Sequence, residues 1–116
     1  MKKSSIFLIA MSMIIFVPFR SLADMSLGQY KKMKGTEFVT AYVGAVGFAY
    51  VHANAALTHR KQPSLYCQPS KLSLNAANYQ DILDKEVKEK AHIFNSPDIA
   101  IEMILLFGLI RTFPCE

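Results

Sequence analysis

Apolar positions along this chain recur with the period of a helix, and no stretch alternates as a strand does. The strongest such segment is Thr36–Thr58, where twenty residues from Phe38 to Leu57 pass without an acidic or permanently basic side chain. Thr36 suits an N-cap, and Glu37 places a negative charge in the first turn, where the helix dipole favours it. That length admits a membrane span, but Thr40, Gly44, Gly47, His52 and Asn54 interrupt the run and alanine fills much of the rest. The expectation is therefore a central helix buried on most sides. Thr36, Thr40, Gly44, Gly47, Val51, Asn54 and Thr58 step by three or four residues and share one small or polar face. The other side carries the bulky Phe38, Tyr42, Phe48, Tyr50 and Leu57. Each glycine costs roughly 1 kcal/mol of helix propensity against alanine. Close approach of a second helix, from this chain or from a second copy, offsets that cost, with Thr40, Gly44, Gly47 and Val51 as the packing positions.

Pro63 and Pro69 make Arg60–Ser73 a connection, because proline cannot sit inside a helix. Ser73 or Asn75 then caps a second long helix to about Lys90. Its core stripe is Ala76, Tyr79, Leu83 and Val87, with Ile82 beside it. Its wet face carries Asp81–Lys85, Asp84–Lys88 and Glu86–Lys90 as acid-first i,i+4 pairs, each contributing ~0.2–0.5 kcal/mol. Ala91–Asn95 breaks the pattern. Ser96-Pro97-Asp98 supplies an N-cap, a proline at the first helical position and an acid in the first turn, so a third long helix is expected over Pro97–Thr112. Its apolar run, Ile99–Ile110, is too short to cross a bilayer, and Pro114 ends it. Ahead of these, Met25, Leu27, Tyr30 and Met33 follow a loose helical spacing that allows one or two turns, with Lys31, Lys32 and Lys34 beside them as a solvated face. The expected fold is all-α, a small bundle of about four helices.

The first residues have a separate character. Met1-Lys2-Lys3 precedes the apolar run Ile6–Phe19 and then Ser21-Leu22-Ala23, the order of a secretory signal peptide with a small-x-small cleavage site. The alternative is an uncleaved membrane anchor. A lipid anchor lacks its cysteine at the cleavage point. Residues 1–23 are read as a signal peptide and 24–116 as one domain, with no room for a cofactor-binding lobe.

Removal of the leader changes the charge. The chain of 116 residues carries 13 Lys and Arg against 9 Asp and Glu, but Lys2, Lys3 and Arg20 leave with the leader, bringing the net charge near +1. That argues against a phosphate-binding surface, which needs concentrated positive charge. Export also decides how Cys67 and Cys115, the only two cysteines, are read: in an oxidising compartment an even pair defaults to a disulfide. A staple across that separation stabilises by roughly 4 kcal/mol in the chain-entropy view, a large share for a small domain. The rival is a nucleophilic thiol at Cys67.

Candidate chemistry is sparse. No glycine-rich phosphate loop, paired-cysteine zinc spacing or His-Glu-x-x-His occurs, so no metal or cofactor is expected. His52 and His59 stand two helical turns apart, too far to share one ion easily. The carboxylates of the second long helix sit among lysines that keep them ionised, which makes them poor general acids. Catalysis is not expected; a small exported stapled bundle suits a binding protein.

The C-terminal half carries a more specific pattern: Leu65-Tyr66-Cys67-Gln68-Pro69, then Leu72-x-Leu74-Asn75, then Gly108-Leu109-Ile110-Arg111-Thr112-Phe113-Pro114-Cys115. This resembles the amidase immunity proteins of type VI secretion (Tai/Rap type), with an aromatic-Cys-x-Pro motif, two helices and a terminal Phe-Pro-Cys. Tyr42, Val43 and Gly44 suit that family's glycine-containing first long helix, and the likeness runs from about Thr36 to Cys115. It implies a periplasmic homodimer, without stable membrane insertion, that blocks the cleft of a peptidoglycan amidase. The cognate enzyme it implies resembles the fourth amidase class, a papain-like Cys–His hydrolase cutting between D-glutamate and meso-diaminopimelate. A blocker needs a pre-organised segment to fill that cleft. The loop Lys90, Ala91, His92, Ile93, Phe94, Asn95 and Ser96 is the expected plug, with Ile93 and Phe94 either as apolar anchors or tucked back into the core. A small periplasmic helical chaperone is the competing reading of the same features.

Overall fold

The computed structural model describes residues 24–116, so the expected signal peptide lies outside the described residues. Among the described residues four helices follow one another: α1 (Leu27–Met33), α2 (Glu37–His59), α3 (Ala76–Glu89) and α4 (Ile101–Thr112). The fold is all-α and stapled by a disulfide between Cys67 and Cys115, with Cα atoms 5.0 Å apart. The α3 helix packs against both α2 and α4, and α2 also touches α4.

Local chemistry sets most helix starts. Thr36 caps α2 by accepting the Val39 N–H. Asn75, rather than Ser73, begins α3 through a reciprocal capping box with Asn78. Ser26 and Gln29 form a similar box at α1. Gly35, at φ +94°, makes the tight turn from α1 into α2 in a backbone region that side chains disfavour.

The start of the last helix departs from expectation. Residues Pro97 to Ala100 form a turn and a single bridge to Ser26, and α4 begins only at Ile101 with no side-chain cap. In a helix begun at Pro97, the Ile101 N–H would go to the Pro97 carbonyl. Instead it goes to the Met25 carbonyl at 2.9 Å, while the Pro97 and Ile99 carbonyls accept the Gly28 and Leu27 N–H groups at 2.9 and 2.8 Å. The unpaired first-turn donors of α1 thus claim the very carbonyls a longer α4 needs.

The core is built from Leu27 and Tyr30 of α1, Val39 and Val43 of α2, Tyr79 and Leu83 of α3, and Ile101, Ile104, Leu105 and Leu109 of α4, with Tyr66 joining from the connection. Two further expectations are corrected here. The α2 helix is not buried on most sides: its buried residues stop at Gly47, and Phe38 is 61% exposed. Glu86 does not belong to a wet face. It is 3% exposed, and its carboxylate is held by the fork of Arg111, through Nε at 3.1 Å and Nη2 at 2.7 Å. Gly108 lets α4 lie close to this part of α3, because a Cβ there would come 2.9 Å from Ile82 Cγ2 and 3.3 Å from the Ile82 carbonyl oxygen. Asp84 likewise pairs across the fold, with Lys34 at 2.9 Å and the Tyr30 hydroxyl at 2.5 Å, rather than with Lys88. Burial, then the neighbouring Asp84 carboxylate, push the Tyr30 hydroxyl well above its ordinary pKa.

No helix among the described residues is long and apolar enough to cross a membrane.

Candidate functional site

The turn between α3 and α4 is short and firmly braced. Lys90 caps α3, its N–H donating to the Glu86 carbonyl at 3.0 Å, and its own carbonyl accepts the N–H groups of Ile93 and Phe94 at 2.8 and 2.9 Å. On the far side, Ser96 Oγ accepts the Asp98 N–H at 3.3 Å, and the backbone bonds from Gly28 and Leu27 fix Pro97 and Ile99. One end of the segment is therefore held by the last turn of α3, and the other by α1, distant in sequence.

Within it, the two apolar side chains part company. Phe94 turns inward, is buried and stacks on Phe107 with centroids 6.3 Å apart, so of the two expected fates it takes that of a core residue and is not available as an apolar anchor. Ile93 points outward and is 54% exposed. His92 and Asn95 are exposed, while Lys90 and Ser96 are half-buried. The surface offered is one aliphatic side chain flanked by polar groups. Beside it lies a hollow of about 240 Å³ between the loop and α1, bordered by Gly28, Lys31, Ala91 and Asn95.

The expected packing face of α2 is in use within the chain. Thr40 Oγ1 donates to Gln80 Oε1 at 2.7 Å, a Cβ on Gly44 would meet that of Ala76 at 2.6 Å, and one on Gly47 would overlap the Tyr79 ring. The partner that the glycines admit is thus α3. Val51, on the same stripe one turn further, escapes this contact and is exposed.

A larger cleft, about 590 Å³, opens beyond Gly47, between the second half of α2 and the connection that carries Cys67. Phe48, Val51, Leu72 and Tyr79 give it an apolar lining, and Asn54 and Gln68 contribute polar groups. Asn54 grips the connection twice: Nδ2 donates to the Tyr66 carbonyl at 2.9 Å, and Oδ1 accepts the Leu65 N–H at 2.8 Å. The two motif segments meet here. The Cys67 N–H donates to the Phe113 carbonyl at 2.8 Å, and the Tyr66 and Phe113 rings lie 6.4 Å apart. Burial raises the Tyr66 hydroxyl to about 12. The sequence pattern marked Asn54 as an interruption of an apolar run and a member of the small or polar face, and its hold on the connection was not foreseen.

A third polar cluster joins three elements. Glu102, in the first turn of α4, accepts the Tyr42 hydroxyl and the Met25 N–H on Oε1, the latter at 3.0 Å, and its carbonyl accepts the Tyr50 hydroxyl at 2.7 Å. Burial, followed by the hydrogen bond to Glu102, raises the Tyr42 hydroxyl to about 12. In sequence Glu102 stood out only as the acid within an apolar helix. Among the described residues there is no free cysteine and no cluster of three or more metal-ligating side chains. With both sulfurs bonded to one another, Cys67 offers no thiolate for nucleophilic attack.

No family model, no curated protein and no solved structure matches this chain.

Proposed function

We propose that this protein is a periplasmic immunity protein that binds a type VI secreted peptidoglycan amidase and plugs its Cys–His cleft. The cognate reaction is cleavage between D-glutamate and meso-diaminopimelate, and the protein protects its cell from self or sister-cell attack. The observation that carries this reading is the meeting of Tyr66-Cys67-Gln68-Pro69 with Phe113-Pro114-Cys115. They join by a disulfide, a backbone hydrogen bond and a ring contact as one structural unit. Two motifs far apart in sequence, each weak alone, thus lie side by side in the fold. A disulfide also accords with an oxidising compartment.

The inhibitory segment in this reading is the α3–α4 loop, with Ile93 as its apolar contact and Lys90, His92, Asn95 and Ser96 as polar contacts. Its bracing at both ends means little conformational freedom is lost on docking. A homodimer belongs to the same proposal, but α3 covers the Thr40-Gly44-Gly47 face. Self-association then falls to the uncovered stripe of α2 that includes Phe38, Ala41, Ala45 and Ala49.

The exposed Phe48, Val51 and Leu72 around the larger cleft favour one second reading, a small periplasmic helical chaperone. Co-purification from a periplasmic extract, with an assay of peptide-stem cleavage on the captured fraction, separates the two. Immunity predicts one small Cys–His amidase, eluted inactive at near-equimolar ratio. Ile93→Ala should weaken its capture while leaving the fold intact. Broad capture of unrelated chains, with suppression of their aggregation, would replace the immunity reading by the chaperone.

A further inference from the structure

Glu102 is arranged as though one partner were still to come. Its Oε1 accepts two hydrogen bonds, from Met25 N–H and Tyr42 OH, whereas Oε2 is buried and has no hydrogen-bond partner among the described residues. A carboxylate oxygen sealed from water without a donor is costly. The residue lying against it from the start of the described chain is Met25. Met25 is buried and fixed on both sides of its backbone, its N–H on Glu102 Oε1 and its carbonyl on the Ile101 N–H. The nitrogen of Asp24 is one residue from that of Met25, so covalent geometry keeps it within about 7 Å of that oxygen, close enough for a small shift of the exposed Asp24 to bring it into reach.

Asp24 is also the residue that follows Ser21-Leu22-Ala23, the expected cleavage site. We propose that cleavage of the Ala23–Asp24 bond creates the missing donor, and that the new α-ammonium of Asp24 latches onto Glu102. In the hydrolysis, water's oxygen joins the Ala23 carbonyl carbon as the C–N bond breaks. Ala23 leaves as a carboxylate, and the Asp24 nitrogen takes up both of water's hydrogens to become an ammonium. One neutral amide N–H is thereby replaced by three N–H donors carrying a positive charge, next to a buried oxygen that lacks one. The pair closes the junction of α1, α2 and α4, because Glu102 already ties Met25, Tyr42 and Tyr50 together.

The consequence is a fold that tightens on processing. Before cleavage the precursor has an amide at this point and an unsatisfied carboxylate oxygen, and it is correspondingly easier to unfold for export. After cleavage the amine locks the first helix in place. This inference rests on the leader reading and not on the amidase reading, so the two stand or fall separately.

The test uses the full gene, expressed with export and purified from the periplasm, beside a form with Gly-Gly inserted between Ala23 and Asp24. Mass spectrometry must find the mature terminus at Asp24, and a terminus elsewhere overturns the proposal. Displacing the amine by the two glycines should lower the folding equilibrium constant by roughly tenfold, as loss of a charge-assisted hydrogen bond does. The same insertion in a Glu102→Gln background should cost almost nothing. An insertion without effect, or with equal effect in both backgrounds, overturns the latch. A second readout covers failure of Glu102→Gln to fold. The Asp24 amine of the native processed protein should be acetylated at least tenfold more slowly than in the denatured chain, and equal rates overturn the proposal.

Discussion

The two halves of α2 are similarly apolar and meet opposite fates. Val39, Val43, Gly44 and Gly47 are buried against the bundle, while from Phe48 onward no residue of the helix is. The first half has a helical partner, because its glycines let α3 approach to contact with Ala76 and Tyr79. The second half faces the connection, held at Asn54 and, further along, by the disulfide, and touches the bundle through the Phe48–Tyr79 ring contact and the Tyr50 hydroxyl on Glu102. Hydrophobicity of a helix face thus says that burial is favourable, and the backbone of the partner decides whether it happens.

Breaking the staple should have the largest effect on this contrast. Replacing Cys67 and Cys115 together by serine frees the connection from the end of α4 and should cost about 4 kcal/mol, read as a lower urea midpoint. Leakage of denatured-state structure into that figure is visible as a change in the urea slope. Next comes Gly44→Leu, which forces α3 off the buried half and should cost about 1–3 kcal/mol. Ala49→Leu, five positions on and exposed, should stay within about 0.5 kcal/mol of the parent. Equal losses at these two positions would erase the distinction between the halves.

Asn54→Ala sharpens the comparison from the other side. It removes two hydrogen bonds to the connection and should cost about 1–2 kcal/mol. Amide exchange should accelerate at Leu65, whose N–H loses its acceptor, with no change at Val39 or Val43. The smallest effect at neutral pH is electrostatic. Tyr42, in the buried half, and Tyr66, over the open half, are both raised to about 12, chiefly by burial. A raised tyrosine stabilises the fold below its unfolded pKa of about 10 and ceases to do so as pH climbs through its folded value. Thermal stability should therefore be flat in this respect up to about pH 10 and fall between there and about 12. Tyrosinate absorbance followed alongside unfolding tests this, and full titration near pH 10 in the native protein would refute it.

Much of this molecule can be read without coordinates because its signals are short-range. Thr36, Asn75 and the prolines flanking Cys67 act on their immediate neighbours, so helix existence, several boundaries and the all-α class follow from them. The lone pair of cysteines in an exported reading identified the staple. The candidate loop was legible as a break between two helices, but the fate of Phe94 was not, since stacking on Phe107 is a matter of how α4 lies. The same limit explains Ser96-Pro97-Asp98, a sound local start signal overruled by hydrogen bonds from residues about seventy positions earlier. It explains Glu86 too, whose charge pattern with Lys90 gave way to a buried carboxylate held by Arg111.

The sequence by itself thus determined that the chain is helical, that Thr36 caps α2 and which sulfurs join, because these depend on a few adjacent residues or on a unique pairing. Only the tertiary structure decided which face of α2 is covered, where α4 begins and which carboxylates lie inside. Those outcomes depend on competition among backbone donors, acceptors and surfaces brought together from distant parts of the chain.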